Sequence, residues 1–475
     1  MENPFDVEFL ALLTIAVWAT LLALAGWSIT RGQSWSVVRD HDGQGSPENM
    51  DSFRVALAFV VCAGWGISLP FNGQPSIGFF TSILLLPVLL REAFRLPRYR
   101  KLIWISSIFT SLLLLLTFTK TTVLDSHQFV QTQFITSFIP LVSVVLAVLT
   151  IHWASRVIGW RTAFCAYFMT FTLWHILFLG AGVEAAAIAW KYEGLAFALT
   201  TLGFLLTSGS RSAQLAVGFT SVAVSLLAAD YRSGGLAVLL AILASSSPAT
   251  AGWRRLGRHA RWVALVVLAP LVYLLSHLIL SKLATWGLLG ASLQQRVLDV
   301  NPDLTFVYLG DRVGFLIGLD YALANPMGMG MGVAANVADY NVLASSLLAM
   351  GRQTDGFANE YLLGYGYQGV PRLHSLLGDL GVWLGLLGLA VALLLLLMGL
   401  SVLNNSMSGL YSDSTQLIAS TSALFFVWDF FGSGGFGVPL MVTLFLWAES
   451  GKDVRDREPI AVRGASLVRL AKGAA

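Results

Sequence analysis

Charge is scarce in this sequence. Only 12% of its 475 residues are Asp, Glu, Lys or Arg, against about a quarter in soluble domains. With 56% hydrophobic residues and a mean hydropathy of +0.72, the chain has too little polar surface for a soluble fold. Its net charge is +3, from 29 Lys and Arg against 26 Asp and Glu, so the basic footprint of a nucleic-acid-binding protein is missing. Cysteine is scarcer still. Cys62 and Cys165 both fall in apolar runs, which excludes a disulfide framework or a thiolate metal site and leaves two buried thiols. No Gly-Lys-Ser/Thr phosphate loop, His-Glu-x-x-His or nucleophile elbow occurs, so ATP-driven and hydrolase chemistry lack residues to carry them.

What the chain has instead is long apolar runs, among them Phe9–Ile29, Ile103–Phe118, Phe134–Ile151, Trp262–Leu280 and Leu384–Leu400. Each approaches the roughly 20 residues a helix needs to cross the hydrocarbon core. Backbone groups in lipid must be satisfied within the segment, so such runs are helices. The alternation of a transmembrane barrel is absent. Met1–Glu8 is acidic and lacks a cleavage-site pattern, so the first run is expected to be a span and not a signal peptide.

Basic residues in short loops mark the cytoplasmic side. They cluster at Arg91–Lys101, at Arg156 and Arg161, at Arg254–Arg261, and in a tail from Lys452 to Lys472. An even number of crossings must separate consecutive clusters. The apolar segments near 262–281, 376–401, 416–432 and 435–449 satisfy this if 282–375 is external. The expected architecture is all-α, a polytopic transmembrane bundle of about 11–13 spans with one large external loop of short helices. Its parts are transmembrane helices over 1–281, the loop over 282–375, further transmembrane helices over 376–449 and a basic cytoplasmic tail over 450–475. The pieces 195–208 and 235–248 are short for full spans, so parity leaves Arg211 on either side.

The external loop concentrates chemistry. It holds five basic and seven acidic residues interleaved with aromatics. Guanidinium groups bind phosphates bidentately, and aromatic faces suit sugar rings. Arg296, Arg352, Arg372, Tyr361 and Tyr365 are therefore candidates for substrate contact. Arg312 opens an amphipathic stretch that ends at Asn325-Pro326, and the Met327–Gly332 run that follows has glycines free to take conformations barred to other residues. His374 closes the loop, just before a helix starting near Ser375. That helix carries Gly378, Gly381, Gly385 and Gly388, a small-residue face for close helix approach.

Three strings occur in order. Thr207-Ser208-Gly209-Ser210-Arg211 resembles the Thr-Gly-Ser-Arg-Gly signature of the O-antigen ligase and polymerase superfamily. Arg312 through Pro326-Met327-Gly328-Met329-Gly330 is similar to that family's Arg, amphipathic helix, then Pro-x-Gly-x-Gly. His374-Ser375-Leu376-Leu377-Gly378-Asp379-Leu380-Gly381 resembles its His-Asn, Leu, Leu, Gly-x-x-Gly helix, with Ser375 where Asn is usual. The resemblance covers roughly residues 195–400. It implies a metal-independent, cofactor-free glycosyltransferase in the bacterial inner membrane, multi-pass, with its site facing the periplasm. The donor would be a glycan on undecaprenyl pyrophosphate and the acceptor a saccharide, the lipid tail lying among the helices. Arg312 and Arg211 would stabilise charge on the departing pyrophosphate, and His374 would take the proton of the acceptor hydroxyl. Polymerisation of O-antigen or exopolysaccharide units is preferred over ligation to lipid A core, since nothing points to a core-oligosaccharide site.

Two other classes compete. A transporter or flippase of an anionic lipid-linked substrate would use intramembrane ionisable groups, here His175, Glu184, Lys191 and Glu193. It would be expected to show matched halves with broken helices, which are not evident. A metal-dependent transferase would use an Asp-x-Asp string, present as Asp40-His41-Asp42, which charge parity places inside.

Overall fold

The computed structural model describes residues 52–69, 74–124, 127–178, 194–207, 210–225, 232–287, 294, 314–349, 368–371, 373, 375–411, 413–432 and 437–450. The regular secondary structure of these residues is all helical, with isolated backbone bridges and no strand. In chain order the helices are α1 (Ser52–Gly64), α2 (Ile77–Leu84), α3 (Leu86–Phe94), α4 (Pro97–Phe118), α5 (Gln131–Ile158), α6 (Trp160–Phe178), α7 (Leu195–Leu206) and α8 (Arg211–Ala223). There follow α9 (Arg232–Ala244), α10 (Ser247–Arg255), α11 (Arg258–Thr285), α12 (Gly314–Ala324), α13 (Val337–Ala349), α14 (Leu376–Met407), α15 (Asp413–Gly432) and α16 (Val438–Glu449).

Among the described residues three helices are long and apolar enough to cross a membrane: Pro97–Val123, Gln131–Ile158 and Leu376–Met407. The number is five if each of two bent pairs, α2 with α3 and α9 with α10, is one span. Each bend has a proline in the first turn of its second helix, Pro87 and Pro248, where its missing N–H costs no helical hydrogen bond. The outward face of α4 is as apolar as its buried face, with Trp104, Ile108 and Leu115 more than half exposed. A helix that is apolar all round suits lipid on its free side. The run Phe9–Ile29 and the 450–475 tail beyond Ser450 lie outside the described residues.

Helix ends gather into two groups. At one end Tyr99 of α4 donates from its hydroxyl to Glu449 of α16 at 2.8 Å. His152 of α5 bonds the same carboxylate oxygen at 2.8 Å and stacks on the Tyr99 ring. Arg98 donates to the Trp447 carbonyl at 2.6 Å. Tyr411 reaches the Leu446 carbonyl, and Arg261 at the start of α11 donates to Ser408. The described parts of the Arg91–Lys101, Arg156–Arg161 and Arg254–Arg261 clusters therefore sit at this basic end. At the opposite end the hydroxyl of Ser375, before α14, faces the Phe430 carbonyl near the end of α15. There also α12 packs on α14 and α13, and the loop between α12 and α13 bonds the facing ends of α4 and α5.

The tightest packing is between α12 and α14. A Cβ on Gly318 would strike the Gly378 backbone, one on Gly381 would fall 2.7 Å from the Gly318 carbonyl, and one on Gly314 would overlap the Leu373 carbonyl. In lipid, helices gain little by hiding apolar side chains from an apolar solvent, so backbone approach through small residues holds them together. The buried positions of α12 are Gly314, Ile317, Gly318, Tyr321 and Ala322, a stripe with helical period.

With Cys62 and Cys165 replaced, a cysteine at Val337, which is 78% exposed at the loop end, and one at Gly257, exposed at the basic end, should react with an impermeant thiol reagent from opposite faces of sealed vesicles. Labelling of both from one face would contradict the arrangement of helix ends.

Candidate active site at the loop end of the bundle

The helix α14 is broken. Gly385 has φ 58° and ψ −134°, a conformation inside the helix that only glycine tolerates well. Such a break strands backbone groups that cannot be left unpaired in an apolar interior. The Gly/Met run supplies their partners. The amides of Met329 and Gly330 donate to the Val382 and Trp383 carbonyls at 2.9 and 3.0 Å, and the Leu386 amide donates to the Pro326 carbonyl at 3.0 Å. To lie this close the run needs Gly328 and Gly330 at positive φ, 72° and 101°. Its other edge joins the α4–α5 connection. The Met331 amide donates to the Thr117 hydroxyl at 3.0 Å, Val130 to the Gly332 carbonyl at 2.8 Å, and Ala334 to the Gln128 carbonyl at 3.0 Å. Residues 328–333 are buried.

Beside this loop is a polar cluster centred on Asp339. Asn336 and Asp339 cap α13 reciprocally: the Asp339 amide donates to the Asn336 side-chain oxygen at 3.0 Å, and the Asn336 amide to Asp339 Oδ2 at 3.2 Å. Tyr321 donates to Asp339 Oδ1 at 2.5 Å, and His127 Nε2 lies 2.7 Å from Oδ2. The His127 and Asp339 side chains are 4% and 8% exposed. Burial, reinforced by the hydrogen bond and charge of Asp339, pushes the Tyr321 hydroxyl far above the usual phenol range. Tyr321 is thus a donor at any physiological pH.

The residues singled out in the sequence distribute unevenly. Arg312, His374, Arg296, Arg352, Arg372, Tyr361 and Tyr365 lie outside the described residues. Their chain neighbours do not. Gly314, two residues after Arg312, is in backbone contact with Leu373, which directly precedes His374. The Leu373 amide donates to Asp379 Oδ1 at 2.9 Å, and Ser375 caps α14 by accepting from the Gly378 amide at 2.8 Å.

Arg211 is elsewhere. It begins α8 and donates to the Ser245 carbonyl at 3.0 Å. The Ser245 hydroxyl bonds Ser420 of α15 at 3.1 Å, and Ser420 bonds Ser406 near the basic end of α14 at 2.7 Å. Along α15, Ser420 is ten residues or about 15 Å from the Phe430 level where the loop end begins. The structure does not bring Arg211 to the Gly314–Leu373 contact. The Nδ1 atom of His175 bonds the Phe171 carbonyl of its own helix at 2.8 Å. Asp40, His41, Asp42, Glu184, Lys191 and Glu193 lie outside the described residues.

Sequence reasoning assigned no role to His127 or Asp379. The Asn336-x-x-Asp339 spacing is a readable cap, but nothing local marks a histidine in the short α4–α5 connection as its partner. An apolar crevice lies deeper, between α4, α5, α14 and α16, lined by Leu102, Phe109, Leu141, Val144, Leu395 and Leu444 among others.

Alanine at Gly385 must adopt a strained backbone and meet the Pro326 carbonyl. Gly385→Ala should therefore lose about 1–3 kcal/mol from backbone strain alone, read as a lower thermal unfolding midpoint in detergent. Ala at Gly252, a position inside α10 where an added Cβ meets nothing, should leave the midpoint unchanged or raise it, and equal midpoints for the two variants would contradict the seated loop.

No protein-family model, curated protein or solved structure matches the chain.

Proposed function

We propose that this chain is a membrane glycosyltransferase acting at the loop end of a bundle of about 11–13 spans. It would move a glycan from undecaprenyl pyrophosphate to a saccharide hydroxyl on the periplasmic side of a bacterial inner membrane. The preferred reaction is polymerisation of O-antigen or exopolysaccharide units, with ligation to lipid A core as its variant. The observation that carries the reading is the Gly314–Leu373 backbone contact. It joins two motifs about sixty residues apart, one headed by Arg312 and the other by His374.

In the proposed reaction the acceptor oxygen bonds the anomeric carbon as that carbon's bond to the pyrophosphate oxygen breaks. The acceptor proton passes to His374, and the bonding pair leaves with undecaprenyl pyrophosphate. Arg312 balances the charge that develops there. Arg296, Arg352, Arg372, Tyr361 and Tyr365 would hold the remaining phosphate and sugar groups, and the isoprenoid tail would lie among the apolar helices. Arg211, bonded to the Ser245 carbonyl, is given no part in pyrophosphate binding. This departs from the role that the family resemblance implies for it.

The break in α14 has the form of a discontinuous transporter helix, whose exposed carbonyls coordinate ions. Here the Val382 and Trp383 carbonyls are taken by loop amides, which speaks for a structural break rather than an ion site.

Purified Arg312→Ala should lose transfer by about 10²-fold or more, the size expected for a donor aimed at developing charge. Arg312→Lys should fall between it and wild type, because it keeps the charge but not the planar fork. His374→Ala should lose about 10²–10⁴-fold in transfer while still binding the lipid-linked donor, and Arg211→Ala should transfer nearly as well as wild type. Full transfer by folded Arg312→Ala and His374→Ala would remove both from the site and the reading with them.

A further inference from the structure

Asp339 needs only Asn336 to cap α13, yet it also holds two titratable side chains brought from other elements. The Tyr321 hydroxyl, from α12, bonds Oδ1. The His127 ring, from the α4–α5 connection, bonds Oδ2, with Asn336 Nδ2 3.1 Å from the same ring nitrogen. A buried carboxyl group needs partners for both oxygens, and both have them. The consequence is topological. Tyr321 precedes the Gly/Met loop and Asp339 follows it, so their bond closes the loop at its base. The His127 bond then fastens that base to the connection that already pairs with Gly332 and Ala334.

The loop's far edge is the segment that fills the α14 break. Its position therefore fixes where α12 lies along α14, and with it the contact of Gly314 on Leu373. We propose that His127, Asp339 and Tyr321 are positioning residues that clamp the Pro326–Gly332 loop in the α14 break and so set the geometry of the transfer reaction, an inference that rests on the glycosyltransferase reading. None of the three need touch substrate. Their effect would pass through backbone register, so it belongs to turnover rather than to acceptor binding.

The test uses the purified full-length chain and four variants. Tyr321→Phe removes one hydrogen bond without changing volume, His127→Ala removes the ring, Asp339→Asn alters the node, and His127→Gln retains an N–H donor toward Asp339. In Tyr321→Phe and His127→Ala, hydrogen exchange at the Met329 and Gly330 amides should accelerate about tenfold, the fold-change of one buried hydrogen bond. Transfer turnover should fall by a similar factor, with acceptor KM and donor binding held within about twofold. His127→Gln should recover most of both losses. If Asp339→Asn fails to fold, the other three variants still decide the matter.

Wild-type exchange in Tyr321→Phe and His127→Ala would overturn the clamp. Accelerated exchange with wild-type turnover would overturn the positioning role while leaving the transferase reading intact. Absence of transfer by wild type, with accelerated exchange in the variants, would instead reject the transferase reading, and the positioning role with it, while the clamp remained.

Discussion

The hydrogen bonds between the Pro326–Gly330 segment and the break in α14 are the constraint on which the loop end depends. A helix interrupted at Gly385 would expose the Val382 and Trp383 carbonyls in an apolar interior, and an irregular Gly/Met loop would expose its own amides there. Each would be costly alone. Together they satisfy one another through three backbone bonds, and the glycines at 328, 330 and 385 are what let the two backbones come close enough. The α12–α14 contact extends the same logic, since Gly314, Gly318, Gly378 and Gly381 leave room only for backbone.

This arrangement gives the loop end a rigid floor. One edge of the Gly/Met loop is tied to α14, the other to the α4–α5 connection, and its base to Asp339. A reaction that must hold a pyrophosphate and an acceptor hydroxyl in line gains from such rigidity, because misplacement by about 1 Å can cost 10²-fold in rate. A transporter would gain more from a break that could rearrange. The opposite end is different in kind. There Arg98, Tyr99, His152 and Glu449 tie α4, α5 and α16 together beneath a fringe of exposed arginines, a composition suited to a membrane surface on the charged side.

Much of this was legible from residues alone. Apolar length located the middles of α4, α5 and α14, whose more polar ends run on to Pro97, Ile158 and Met407, and the glycine row after Ser375 announced close helix approach. The segment that forms α12 read as an amphipathic stretch ending at Asn325-Pro326. The break was not legible. Gly385 is one of four glycines in that row, and its positive φ is dictated by the loop seated against it, a contact between segments about sixty residues apart. The His127–Asp339 pair spans 212 residues and involves one histidine with no motif around it. The surroundings of Arg211 were likewise not legible, since they are set by Ser245, 34 residues away at the end of another helix.

The most direct measurement follows the donor itself. Purified protein would be placed in sealed vesicles with an undecaprenyl-pyrophosphate-linked glycan and a chelator, and both glycan length and free undecaprenyl pyrophosphate would be quantified. The account predicts glycan lengthening with one undecaprenyl pyrophosphate released per bond formed, and loss of both in Arg312→Ala. Movement of intact donor between leaflets, without release of undecaprenyl pyrophosphate, would contradict it and assign the fold to transport.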